Sequence, residues 1–297
     1  MTLTLAETYP QFLDDLAHKS QLRPSTIRAY QYELVAAAQD NRFQNPLETL
    51  KLDTIEDWIG RGHPAASTRA RRAATFNRFF RWALQQGICE SNPLAGRIPT
   101  RSDHRLPRPI QRRADQDAID SGIRSAPQPY RLIFTILRET GMRVGEVLDL
   151  RVGDVLLETG REGLRVREPK NRTERIVVLG ATATPKTIRG LRAYLKQMNR
   201  PRPHDVLFRS NRGTAVSYDA VHYQWRKVCR AAGLMDASNP RYTLHQLRHT
   251  RGSELLAEGQ PIEIVQRVLG HRDIRSTLLY AELNEDEVRA ALEQPSS

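Results

Sequence analysis

Leu164-Arg165-Val166-Arg167-Glu168-Pro169-Lys170-Asn171-Arg172-Thr173-Glu174-Arg175-Ile176-Val177-Val178-Leu179 sets a small sheet into an otherwise helical sequence. Leu164–Arg167 and Arg175–Leu179 alternate with the two-residue period of a strand, and Pro169-Lys170-Asn171-Arg172-Thr173 between them has the composition of a turn. The pair reads as a β-hairpin, with Val152–Leu157 as a further strand-like segment before it. Outward from this small sheet the period becomes helical. Helices are expected at 186–198, at 218–232 between a Ser217 cap and a Gly233 stop, at 244–258 between Thr243 and Gly259, and at 262–269 before Gly270. Upstream, Tyr130–Arg138 is an apolar helix interrupted at Gly141.

The first hundred residues read as all-helical. Leu5, Phe12, Leu13 and Leu16 share a helical stripe that ends near His18, and Pro24-Ser25-Thr26 opens a second helix carrying Ile27, Tyr30, Leu34 and Val35. Thr54 is expected to cap a short helix with Ile55, Trp58 and Ile59. Ser67 is expected to open the longest helix, with Ala73, Phe76, Phe80, Ala83 and Leu84 on one stripe and Gly87 as its stop. The fold class is therefore mainly α with a small antiparallel β-sheet (α+β). Residues 1–98 form a helical domain, 99–113 a linker and 114–297 a larger domain.

Composition narrows the function classes. The 297 residues hold 46 Lys plus Arg against 34 Asp plus Glu, a net charge of +12, and 39% are hydrophobic, so packed cores are expected rather than disorder. No run approaches the ~20 apolar residues of a membrane span, and the start has no basic region of a secretory signal. Two distant cysteines, Cys89 and Cys229, exclude a disulfide framework and point to the reducing cytoplasm. Of the 46 basic residues, 40 are arginine. Coding bias and phosphate recognition by guanidinium forks both account for that excess. The linker segment 101–113 has five basic residues against one acid, and Arg105, Arg108 and Arg112 in it are candidate DNA contacts. So are Arg69, Arg72 and Arg78, in a helix with no acid between Ser67 and Leu84, although such a run also suits a solvated face.

Three segments carry candidate chemistry. In Thr140-Gly141-Met142-Arg143-Val144-Gly145-Glu146-Val147-Leu148, a helix capped by Thr140 would put Arg143 and Glu146 one turn apart, as an anion site or as a surface ion pair. In Thr243-Leu244-His245-Gln246-Leu247-Arg248-His249, His245 and Arg248 share a helix face. His245 and His249 also have metal-ligand spacing, but the glutamate of H-E-x-x-H and a third ligand are missing. In Leu269-Gly270-His271 through Tyr280, a short helix opening at Ser276 would present the tyrosine, which alone would read as a packed aromatic. Together, two arginines, two histidines, a turn lysine and a late tyrosine suit phosphoryl transfer to a tyrosine oxygen. Arginines neutralise the phosphorane, a base or cationic field ionises a phenol of pKa ~10, and an acid protonates the departing alkoxide.

These motifs, in this order, resemble those of the tyrosine recombinases, or lambda-integrase family, nearest the Xer-like and the phage or transposon integrases. Thr-Gly-Met-Arg-Val-Gly-Glu-Val-Leu at 140–148 resembles the first arginine box, His-Gln-Leu-Arg-His at 245–249 the H-x-x-R-H box, and Leu-Gly-His at 269–271 with Tyr280 the third box and nucleophile. Pro-Ser-Thr-Ile-Arg-Ala-Tyr at 24–30 is similar to the SAM-like core-binding domain. The resemblance implies a helical core-binding domain joined to a tyrosine-recombinase catalytic domain. It implies that Tyr280 attacks the phosphate to give a 3′-phosphotyrosyl link, that Arg143 and Arg248 clamp the phosphate, and that His271 hydrogen-bonds it. Lys170 would protonate the 5′-hydroxyl, His245 would move the tyrosine proton, and Glu146 would support the site from behind. Two positions depart from the family: Lys170 lacks its usual flanking glycines, and Arg251 stands where an aromatic is common.

The expected activity is site-specific recombination of double-stranded DNA carrying inverted binding sites, by a homo- or hetero-tetramer. Neither metal nor ATP is implied, because the covalent link conserves the phosphodiester bond energy. The tail from Glu282 to Ser297 has five acids and one arginine, and a helix at about 284–293 is expected to dock on a neighbouring subunit or on its own domain. A type IB topoisomerase-like relaxing enzyme and a catalytically silent DNA-binding accessory protein are the alternatives. The compact helical N-terminal domain and short C-terminal helix favour recombination over the first, and the complete residue set argues against the second. Chromosome-dimer resolution, phage integration and transposon movement are the alternative tasks.

Overall fold

Helical periodicity becomes helices throughout the computed structural model, which describes residues 3–20, 22, 24–96, 107–168, 173–270 and 277–278. The chain divides into two units, Met1–Arg105 and Leu106–Ser297. In the first unit, α1 (Leu5–Lys19) starts on a reciprocal cap: Thr4 N–H donates to Glu7 Oε2 at 2.9 Å, and Glu7 N–H donates to Thr4 Oγ1 at 3.4 Å. Its buried side is Leu5, Thr8, Phe12 and Leu16. Next come α2 (Pro24–Ala38), two single 3-10 turns at Asn41–Phe43 and Leu47–Thr49, α3 (Leu52–Gly60) and α4 (Ala66–Gln85). Neither Thr54 nor Ser67 caps a helix, since α3 begins after Lys51 and α4 after Ala65, without a side-chain cap on either. Phe79 is buried in α4 whereas Leu84 is 43% exposed, which rotates the expected stripe. Phe12 meets Phe79 edge-on with ring centroids 5.5 Å apart, and Phe43 stacks on Phe76 at 5.6 Å. The core of this unit is thus rich in aromatic rings, set among leucine, isoleucine and alanine.

The second unit is built round α6 (Tyr130–Thr140), which buries Leu132, Ile133, Phe134, Ile136 and Leu137 on almost every side. It packs against α5 (Arg113–Ser125), α8 (Pro185–Gln197) and α10 (Leu244–Ala257). The short α7 (Val144–Leu148) follows α6, while α9 (Tyr218–Ala231) and α11 (Ile262–Leu269) precede and follow α10. The Ser217 and Thr243 caps and the Gly233, Gly259 and Gly270 stops fall where the sequence predicts. Helix α5 is a departure, because the sequence there shows only Ile119 and Ile123 as fully buried apolar positions. The linker also ends earlier than expected. Ile110 is buried and its N–H donates to Thr250 Oγ1 at 2.9 Å, so the chain is anchored to this unit before α5.

The three-stranded antiparallel sheet runs β1 (Val155–Leu156), β2 (Gly163–Glu168), β3 (Thr173–Val178) in that order. Leu164 opposes Val177 and Val166 opposes Arg175, so one face carries the buried Leu164, Val166 and Val177 together with Arg175. Ile176 and Val178 face outward, 53% and 76% exposed. The strand expected from Val152 is shorter. Val152–Asp154 forms a 3-10 turn because Val152 and Gly153 N–H groups donate to Asp205 and Pro203 carbonyls. A second, two-stranded sheet, β4 (Met235–Asp236) with β5 (Asn239–Pro240), lies outside the sequence prediction. The expected docking helix at 284–293 lies outside the described residues. Among the described residues, no helix is long and apolar enough to cross a membrane.

Candidate active site

The site begins where α6 stops. Gly141 takes the left-handed conformation (φ 66°), which a residue with a Cβ adopts only with strain. A Cβ there would also sit 2.7 Å from Leu269 Cδ2. The chain therefore turns tightly, and the Gly141 carbonyl accepts a 2.8 Å hydrogen bond from Nη1 of Arg248, which is 2% exposed on α10. Thr140, expected to cap the next helix, is instead the last residue of α6 and is buried there, its hydroxyl donating to the Ile136 carbonyl at 2.6 Å. Arg143 itself is the cap of α7, with its N–H donating to Glu146 Oε2 at 3.0 Å.

Glu146 is the node of the site. Arg143 Nη1 donates to its Oε1 at 2.8 Å, and Arg175 grips both oxygens, Nη1 to Oε1 at 3.1 Å and Nη2 to Oε2 at 2.9 Å. The expected i,i+3 pair is thus real but shielded, with side-chain exposures of 43% for Arg143, 13% for Glu146 and 21% for Arg175. Burial alone would raise the Glu146 pKa. The hydrogen bonds and charge of Arg175, followed by those of Arg143, overcome that and hold it below its ordinary value. Arg143 Nη1 and Nη2 also reach towards the Gly270 carbonyl, at 3.4 and 3.5 Å. One carboxylate shared by two guanidiniums leaves positive charge in excess, and Arg248 adds to it.

Helix α10 brings in the histidines. Thr243 N–H donates to Gln246 Oε1 at 2.8 Å, which fixes the first turn and the direction of His245. The rings of His245 and His249 meet edge to face, 4.6 Å apart. Burial, then the positive charges of Arg248 and Arg143, push the His245 pKa below its ordinary value. His249 is pushed further, to about 4, by burial, then by His245 and Arg248. His245 is thus a neutral imidazole near neutral pH, in the electrostatic reach of both arginines.

Arg143, Glu146, His245 and Arg248 are therefore brought together. Lys170, His271 and Tyr280 lie outside the described residues. The β2–β3 strand pairs are described up to Glu168 opposite Thr173, and α11 ends at Leu269 with Gly270 as its cap, next in sequence to His271. Arg175 is the site residue that sequence reasoning missed. Its signal was the period-two alternation that puts it on the face of Val177. Arg251 is occupied by ion pairs with Glu258 (3.1 Å) and Glu254 (3.5 Å).

Among the candidate DNA contacts, Arg69 and Arg78 are exposed on α4, and Arg108 and Arg112 are exposed before α5. Arg105 lies outside the described residues. Arg72 is a correction. Its Nη1 donates to the carbonyls of Trp58, Ile59 and Arg61 at 3.3, 3.2 and 2.9 Å, and its Nε lies 3.4 Å from Glu33, so it serves the fold. The described residues contain no group of three or more His, Cys, Asp or Glu side chains that could hold a metal ion.

Comparison with known proteins gives a consistent result. Residues 115–287 match the phage integrase family, and residues 10–87 match the phage integrase N-terminal SAM-like domain. Among relatives, a tyrosine recombinase XerD of Ralstonia nicotianae is 28% identical over 289 residues, covering 95% of this chain and 92% of that protein. A tyrosine recombinase XerC of Azotobacter vinelandii is 27% identical over 292 residues, covering 95% and 93%. Among solved structures, a lambda integrase dimer bound to a core site superposes with a TM-score of 0.71 at 19% identity, covering 94% of this chain and 95% of that one. The XerH site-specific recombinase in a post-cleavage complex with its difH substrate gives 0.72 at 19% identity, covering 97% and 84%. The likeness to these structures is one of fold.

Proposed function

Because the chain belongs to the phage integrase family, the tyrosine recombinases, we propose that it cuts and rejoins double-stranded DNA at specific sites through a 3′-phosphotyrosyl intermediate. The observation that carries the reading is the cationic clamp, in which Arg143 is oriented by Glu146 and Arg248 is anchored on the Gly141 carbonyl. Positive groups held in place before the reaction stabilise charge that builds up on a phosphorane, and such preorganisation is usually the largest catalytic contribution.

In the reaction, the Tyr280 oxygen attacks the scissile phosphorus. The new P–O(Tyr) bond forms as the P–O5′ bond breaks, and the phenolic proton passes to neutral His245. Lys170 gives a proton to the departing 5′-oxygen, and His271 donates a hydrogen bond to the phosphate. A 5′-hydroxyl from the partner strand then attacks the phosphotyrosine and reverses each transfer. One phosphodiester is exchanged for another, so the cycle is isoenergetic and draws on no nucleotide hydrolysis. The SAM-like match over residues 10–87 supports a second DNA-binding unit and hence recombination rather than simple relaxation.

Solved structures of the same fold include a lambda integrase dimer bound to a core site and a lambda integrase tetramer bound to a Holliday junction. By analogy this chain acts as a tetramer on two paired DNA sites with inverted binding elements, its acidic C-terminal segment docking on a neighbouring subunit. Covalent capture tests the activity. Wild-type protein and Tyr280→Phe are incubated with a library of nicked duplexes made from the DNA of the source organism. Wild type is expected to form protein–DNA adducts that survive detergent, and the adducted duplexes identify the site. The phenylalanine variant is expected to lose on the order of 10³-fold or more of this signal. Adducts formed equally by Tyr280→Phe, or none from wild type, reject the assignment.

A further inference from the structure

We infer that Arg175 is a positioning residue for the cleavage reaction, acting through Glu146 to hold the Arg143 guanidinium against the scissile phosphate. The inference rests on the recombinase reading and concerns a residue on a strand outside its arginine and histidine boxes.

The geometry argues for it in three steps. First, Arg175 stands on the inner face of β3, in register with Val166 and beside Val177, both of them buried. A guanidinium on an apolar face costs free energy unless a partner compensates it, and here the compensation is a two-point grip on Glu146. Second, that grip uses both oxygens of Glu146 and so fixes the carboxylate plane, leaving further lone pairs aimed at the side chain and N–H of Arg143. Arg143 is 43% exposed, and its side chain also reaches, at longer range, the Gly270 carbonyl. Its direction is therefore set by Glu146. Third, the Arg175 guanidinium lies against the α-carbon of Gly270, where any Cβ would overlap it. The same arginine thus fits between the strand, Glu146 and the turn that ends α11. Lysine cannot replace it, since a single ammonium does not hold both carboxylate oxygens in plane.

Single-turnover cleavage of the wild-type-captured duplex, nicked to trap the adduct, tests the role with Arg175→Gln, Arg175→Lys, Glu146→Gln and the Glu146→Gln/Arg175→Gln pair. The expected result is a cleavage rate roughly 10- to 100-fold lower in each single variant, with duplex affinity changed by less than about 3-fold. The double variant is expected to be no slower than Glu146→Gln, because one chain of contacts is being broken twice. A second substrate carries a neutral methylphosphonate at the scissile position and has less charge for Arg143 to neutralise. On it, Arg175→Gln is expected to recover to within about 5-fold of wild type, a recovery that mere loss of folding would not produce. Wild-type cleavage by Arg175→Gln, multiplying defects in the double variant, or equal defects on both substrates overturns the inference. Adduct formation by Tyr280→Phe, or none by wild type, instead overturns the recombinase reading beneath it.

Discussion

At Glu146 one carboxylate holds two guanidiniums, and at His249 one imidazole is held without its proton. The histidine has a consequence that can be measured. Its folded pKa is about 4 against an ordinary 6.5, so the unfolded chain takes up a proton that the folded chain refuses. The corresponding stability is complete above 6.5 and drains away as pH falls through that window towards 4. Glu146 is depressed below 4.5, and its contribution is lost only at lower pH, which leaves the upper window to the histidines. His245 is shifted in the same direction, so removing His249 removes part of the slope. Between about pH 7.5 and pH 5, the wild-type melting temperature is expected to fall by several degrees more than that of His249→Asn. Parallel melting curves for the two proteins would disprove this. Arg143, Glu146, His245 and Arg248 were legible in the sequence because each lies in a short motif with helical spacing. Arg175 was not, because it is one of 40 arginines and its partner lies 29 residues away.

Among the elements, caps and charged faces show where local reading succeeds. Ser217 caps α9 by accepting the Ala220 N–H at 3.2 Å, and at the start of α10 the Thr243 N–H and hydroxyl both donate to Gln246 Oε1, at 2.8 and 3.2 Å. Thr54 and Ser67 have the same chemistry but lie within the first turns of α3 and α4, which begin after Lys51 and Ala65, and Thr140 is the last residue of α6. A good cap residue permits a helix start and does not impose one. Helix α5 escaped for a different reason. Part of its buried side is Asp115, whose carboxylate accepts the Tyr242 hydroxyl at 2.6 Å, a partner that no hydrophobic pattern reports. Arg72 belongs with these cases. It reaches from α4 to the carbonyls at the end of α3, so Arg72→Met is expected to destabilise the protein by about 1–3 kcal/mol. Chemical denaturation reads this as a lower midpoint. An unchanged midpoint combined with weakened DNA binding would return Arg72 to the DNA-facing set.

On the scale of the whole molecule, each unit has its own core, an aromatic one around Phe12, Phe76 and Phe79 and an aliphatic one around α6. An isolated fragment of residues 1–96 is therefore expected to be helical by circular dichroism and to melt cooperatively. A gradual, non-cooperative loss of signal would show that its core depends on the rest of the chain. The helical class, the hairpin, the order of the motifs and the basic excess are all readable from the chain without its fold. All of these follow from near neighbours: periods of 2 and 3.6, glycines that stop helices, residues three or four apart. Which arginines serve the fold, which the site and which the surface is set by long-range packing. Arg248 finds its carbonyl 107 residues away, and Arg72 turns inward while Arg69 and Arg78 stay exposed. A guanidinium's role depends on what desolvates it and which oxygen compensates, and packing brings those groups from distant parts of the chain.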